Sequence, residues 1–128
     1  MGDKQFFRKV AELSGLTVEE AADTTRATLE CLGSRLSNGE RRYLVEHLHE
    51  GLRDAVPVDG NGRMQCFGLP ELLRRVHERT GLNERDTESG VRGVLTALRE
   101  DMGAEAFDHV MQQVPNEFRA MARVRAAA

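Results

Sequence analysis

A chain of 128 residues, 40% of them hydrophobic, is the size of one ordinary domain and can bury roughly two-thirds of its unfolded surface. Its 18 Lys and Arg against 21 Asp and Glu leave a formal charge of −3, with neither half basic; duplex binding draws most of its affinity from neutralising phosphates, so this balance argues against a general nucleic-acid binder. Two cysteines make no disulfide framework, no apolar run approaches the roughly 20 residues that span a bilayer, and the opening residues lack the apolar core of a secretion signal, so a cytoplasmic protein with reduced thiols is the expectation.

The first predicted helix runs from about Lys4 to Leu13, with Phe6, Phe7, Val10 and Leu13 at helical spacing and Gly15 to end it. Thr17 with Glu20 reads as a capping box opening a second helix, whose Val18, Ala22, Thr25, Leu29, Leu32 and Leu36 form one apolar stripe. Ser37 with Glu40 reads as another box, placing a third helix over about Glu40 to Leu48, with Leu44, Val45 and Leu48 inward. A short fourth helix, about Glu50 to Val56, would bury Leu52, Ala55 and Val56. Pro57 to Arg63 has turn chemistry, and residues 57–68 read as a linker whose end, Met64 to Phe67, lies extended against the bundle.

Pro70 falls in the first turn of a fifth helix, where its missing amide costs nothing; Leu72, Leu73 and Val76 face inward and Gly81 stops the helix. Asn83 is placed to cap a sixth helix reaching about Met102, with Val91, Leu95, Leu98 and Met102 along its stripe. A seventh follows Gly103, with Phe107, Val110, Met111 and Val114 inward, and Pro115 opens a last one carrying Phe118 and Met121. Arg123 to Ala128 has no stripe and is expected to fray.

This plan is written twice. Phe6 to Arg53 reappears as Leu72 to Arg119, shifted by 66 positions without a gap, so that Val10 falls on Val76, Gly15 on Gly81, Leu29 on Leu95, Leu32 on Leu98 and Arg53 on Arg119. The expected fold is therefore all-α: a single domain over residues 1–128, of about eight helices in two tandem pseudo-symmetric four-helix units, 4–56 and 69–122, sharing one core. Thr24, Ala27 and Cys31 align with Gly90, Gly93 and Ala97. A glycine inside a helix costs about 1 kcal/mol relative to alanine, so a close crossing of the second and sixth helices through these small residues is expected as compensation.

The segments Phe7 to Val10, Gly15 with Leu16, Glu20 through Leu32, Arg35 to Ser37, Leu73 to Val76, Gly81 with Leu82, and Gln113 to Pro115 leading to Phe118 together resemble a bacterial family known as domain of unknown function 2267. The resemblance spans about Phe6 to Met121 and implies two tandem helical units and no activity. The family pattern places a Gln-Leu-Pro step before each short closing helix; here the first copy reads Glu46, His47, Leu48, His49, with His49 where the proline stands.

The residues themselves name no reaction, and no catalytic residue, cofactor or metal is assigned. His47 and His49 have metal-like spacing, with Cys31, Cys66, His77 or His109 as companions, but a structural zinc site closes with four soft ligands from paired short motifs. Both histidines read instead as surface residues at a helix end, where imidazole meets the negative end of the dipole. Cys31 is expected to be buried packing and Cys66 the more accessible thiol. Glu19 with Glu20, and Glu100 with Asp101, are sequence neighbours and so face apart. Gly60 and Gly62 form a turn without the strand and lysine of a phosphate loop. Arg41, Arg42, Arg74 and Arg75 are interleaved with acids and read as solvated faces.

The function expected is a small cytoplasmic binding or protein-interaction module without catalytic activity, meeting an unknown protein or a second copy through a groove between the units bordered by Met64 and Phe67. The alternative is a ligand-binding protein or enzyme with its site between the units, using Cys66, His77 and the linker. A third reading is a weak nucleic-acid binder acting through Arg119, Arg123 and Arg125.

Overall fold

Helix boundaries fall where backbone and side-chain chemistry require them. In the computed structural model, residues 3–57 and 65–122 are described. They form α1 (Asp3–Ser14), α2 (Val18–Arg35), α3 (Asn38–His47), a 3-10 helix (Glu50–Ala55), α4 (Leu69–Thr80), α5 (Glu84–Met102), α6 (Ala104–Met111) and α7 (Asn116–Met121), with no strand among the described residues. Most of the predicted linker, including Met64, lies outside the described residues, as do Arg123, Arg125 and the rest of the C-terminal tail.

Gly15 and Gly81 end α1 and α4 at φ of 80° and 76°, a region that costs glycine nothing. Thr17 and Glu20 exchange both capping bonds, at 3.1 and 3.0 Å. Ser37 accepts the Glu40 amide at 3.3 Å, but this second box stays half-made, because the Glu40 carboxylate lies beside His109, 3.3 Å from its Nε2. The short fourth helix is of the tighter 3-10 kind, closed by Leu52 N–H to His49 O and Val56 N–H to Arg53 O, both 3.1 Å; so brief a segment gains little from the α form.

The two long helices, α2 and α5, lie against each other at the centre. α1 and α4 each pack against both of them, α3 against α6, and α7 against α5 and α6. A single buried cluster draws Phe6, Val10, Leu29, Leu32 and Leu44 together with Leu72, Val76, Leu95, Leu98, Phe107 and Phe118. Positions related by the 66-residue shift also meet directly. A Cβ on Gly90 would lie 2.9 Å from Thr24 Cγ2, and the ring of Tyr43 stacks on His109 with centroids 3.9 Å apart.

Two side-chain placements along α2 and α5 also differ from expectation. Val18 stands 43% exposed, outside the stripe assigned to it, since a first-turn side chain leans back past the helix end. Gly93 faces α1 rather than α2: an added Cβ would sit 3.4 Å from Val10 O and from Ser14 Cβ. Residues three apart point about 60° from each other on a helix, so Gly90 and Gly93 serve two different crossings. No helix among the described residues is long and apolar enough to cross a membrane.

Candidate functional site

Helix α4 turns Leu72 and Val76 into the core and presents Glu71, Arg74, Glu78 and Arg79 on its outer side, with an open cleft along each flank. The cleft against α2 has a volume of about 220 Å³ and is lined by Glu30, Cys31, Ser34, Arg75, Glu78 and Arg79. Arg79 pairs with Glu30 across it, and that hydrogen bond holds the guanidinium more firmly protonated. The end of the linker is fastened here: the Gln65 amide donates to Ser34 O at 2.8 Å, Arg35 Nε donates to Phe67 O at 2.8 Å, and the Arg75 guanidinium lies 4.2 Å from the Phe67 ring centroid. Phe67 is thus held between Arg35 of α2 and Arg75 of α4.

Cys31 reaches the wall of this cleft but is only 5% exposed. Burial pushes its thiol pKa up, against a smaller opposing pull from Arg75, so it stays a protonated packing group. Cys66 is exposed.

The opposite cleft, between α4 and α5, is larger, about 320 Å³, and is lined by Pro70, Leu73, Arg74, His77, Glu84, Thr87 and Glu88. Arg74 grips Glu71 with two hydrogen bonds of 2.8 and 2.6 Å and reaches Glu78 at 2.6 Å. The two bonds from Arg74 to Glu71, with a further one from Arg75 at 2.8 Å, hold the Glu71 carboxyl down at about 2. Thr87 is tied down by donating to Asn83 O at 2.8 Å. His77 Nδ1 is buried with no hydrogen-bond partner among the described residues. The sequence reading singled out His77 but missed Glu84 and Glu88. The repeat itself carried the signal, because these two carboxylates replace Val18 and Ala22 of the first copy.

The other candidate residues are dispersed. His47 is exposed, its Nδ1 2.8 Å from Tyr43 O, and the Tyr43 ring lies between it and His109, with centroids 4.2 and 3.9 Å away. His49, expected at the surface, is half-buried beside Phe6 with its Nδ1 3.3 Å from Asp101 Oδ2. α3 ends at His47 and Leu48 turns into the core, which sends the two histidines to different sides. Among the described residues, no three His, Cys, Asp or Glu side chains gather as a metal site would require. Arg119 is half-buried, its Nε 3.6 Å from Asp108 Oδ1.

Arg41, read as part of a solvated face, is 2% exposed. Its Nε donates to Gly33 O at 2.6 Å and its Nη1 to Asn38 Oδ1 at 3.2 Å, so the cation sits at the negative end of α2 and satisfies one of its last carbonyls.

The described residues thus form an all-α core with an open cleft along each flank of one charged helix. The chain belongs to the family described as uncharacterized conserved protein (DUF2267), whose model matches residues 3–121. No curated protein matches it.

Proposed function

We propose that this protein is a non-catalytic interaction module of the bacterial cytoplasm that holds a partner protein along α4. The observation that carries the reading is the outer face of that helix, where Glu71, Arg74, Glu78 and Arg79 form a fixed charge ladder between two open clefts. Recognition there is polar: Val18 is the one large apolar side chain that stands exposed among the described residues, so there is no broad apolar patch to dock on. Complementary charge then sets partner choice and association rate, and binding weakens as salt rises.

In this reading residues 4–56 and 69–122 are two copies of one unit on a common core, supported by the contacts between Thr24 and Gly90 and between Tyr43 and His109. The test is capture from the native cell with wild-type protein and with a doubly charge-reversed form, Arg74→Glu with Arg79→Glu, checked for an unchanged helical spectrum. A partner retained by the wild type and lost by the variant supports the reading. The same partners recovered with both would end it.

A further inference from the structure

We propose that Asn38 and Gly39, at the start of α3, form a self-modification site: the Gly39 nitrogen closes on the Asn38 side chain, with the buried Arg41 guanidinium promoting the step, and asparagine is converted to aspartyl and isoaspartyl forms.

The chemistry needs only water. The Gly39 nitrogen bonds to Asn38 Cγ and gives its proton to solvent; the bond from Cγ to Nδ2 breaks, and the amide nitrogen takes a proton from water and leaves as ammonia. Water then opens the cyclic imide. Attack at Cγ breaks the new bond and leaves aspartate in a normal main chain, whereas attack at the Asn38 main-chain carbonyl leaves the chain running through Cγ as isoaspartate. Holding the nitrogen and its target in one dipeptide makes the step intramolecular, which is a large advantage once the two are aligned.

Three observations bring the parts together here. The first is the nucleophile. Asn38 and Gly39 are both exposed, a Cβ on Gly39 would meet nothing within 4 Å, and the Gly39 amide has no hydrogen-bond acceptor among the described residues. It is one of the orphan donors of a helix start, so no hydrogen bond has to be broken to free it.

The second is the electrophile. Arg41 Nη1 donates to Asn38 Oδ1 at 3.2 Å, on the oxygen where negative charge develops as nitrogen adds to Cγ. Arg41 is 2% exposed, and its Nε is anchored on Gly33 O of α2 at 2.6 Å. The cation is therefore fixed from outside α3.

The third is looseness. A helical main chain holds the Gly39 nitrogen away from Asn38 Cγ, so the first turn of α3 has to open for the ring to close. Its capping box is half-made, with Ser37 accepting the Glu40 amide at 3.3 Å and the Glu40 carboxylate lying beside His109 instead. Glycine inside the turn weakens it further. Sixty-six positions on, Ala104, Glu105 and Phe107 stand where Asn38, Gly39 and Arg41 stand, so that stretch lacks amide, glycine and cation alike.

The aspartyl product would set a carboxylate against Arg41 in place of a neutral amide oxygen, a stronger pair. The isoaspartyl product would lengthen the main chain by one methylene between the Ser37 cap and Glu40.

The experiment is incubation of the full chain in heavy-oxygen water at mildly alkaline pH, folded and in concentrated urea, with peptide mass mapping over time. Asn61 also precedes glycine and lies outside the described residues, and it serves as the reference within each sample. Asn38 is expected to take up heavy oxygen in the folded protein at least as fast as in urea. Arg41→Gln should slow Asn38 relative to Asn61 by about tenfold or more in the folded protein, below the loss seen when a donor is removed from an enclosed site because this one is open to water. The same substitution should leave the rate in urea unchanged, and Gly39→Ala should slow the reaction in both conditions.

An Asn38 that stays intact in the folded protein, or converts there more slowly than in urea, would overturn the proposal. So would a folded Arg41→Gln protein with an unaltered rate, or a Gly39→Ala rate equal to wild type, which would mean direct hydrolysis without the ring. Should Arg41→Gln fail to fold, the comparison of folded and urea-treated wild type still decides.

Discussion

Where α1 meets α2, a phenyl ring is buried and the neighbouring positions are Ala11, Val18 and Ala22; where α4 meets α5, the corresponding space is a cleft edged by His77, Glu84 and Glu88. Both pairs begin from the same helix plan, each with a glycine-stopped first helix and a side-chain-capped second. What separates them is a handful of side chains on one face. A shared helix plan tolerates the exchange of packing for polar surface on one face. The exchange runs the other way inside: Thr28 of α2 is buried with a hydroxyl that has no partner among the described residues, whereas the residue 66 positions on, in α5, is the apolar Val94.

The sharpest way to break this comparison is to empty both places. Phe7→Ala should cost about 3–5 kcal/mol, as buried phenylalanine truncations do, and Leu73→Ala at most about half of that, because Leu73 already borders open space. Equal losses in denaturant melts would show the two places to be alike. Gly93→Leu comes next: its side chain would meet the Val10 carbonyl and Ser14 of α1, and a loss of about 1–3 kcal/mol is expected. An unchanged melting temperature would contradict that close approach.

Thr28→Val should stabilise by about 1 kcal/mol, since it removes a buried hydroxyl that has no partner among the described residues and introduces the valine found 66 positions on. Loss of stability would mean that the hydroxyl is paired in solution.

Acid should separate the two first helices. Glu71 on α4 has a folded pKa lowered to about 2 from 4.5, and its counterpart on α1 is Gln5. A lowered carboxyl pKa contributes stability that is whole above 4.5 and is lost as the pH falls through about 2. Part of the acid sensitivity between those values should therefore disappear in Glu71→Gln, followed by circular dichroism across the titration; identical acid profiles would refute the ladder's role. The smallest effect is chemical: iodoacetamide should label Cys66 in the folded protein and reach Cys31 only on unfolding, read by peptide mass.

Much of this molecule could be read before any coordinates. Gly15, Gly81, Thr17 and Asn83 mark helix ends because capping is local chemistry between residues a few positions apart, and all four act as expected. Leu29, Leu32, Leu95 and Leu98 were legible as core from their spacing. His49 was not, since the carboxylate that meets it, Asp101, lies 52 residues away. Nor was Arg41, whose charge argued for water while the end of α2 supplied a buried acceptor; only its alignment with Phe107 hinted at an inward position. The α4–α5 cleft was half-legible: the replacement of Val18 and Ala22 by Glu84 and Glu88 was visible, but the space beside Leu73 was not.

By itself the sequence determined the all-α class, most helix ends, the apolar stripes and the family, because hydrophobic period and capping act within a helix turn or two. Tertiary structure alone decided that Gly93 meets α1, that Arg41 is buried, and that α4 stands between two clefts. Periodicity says which residues share a helix face; which neighbour that face meets depends on how all the helices fill a common volume.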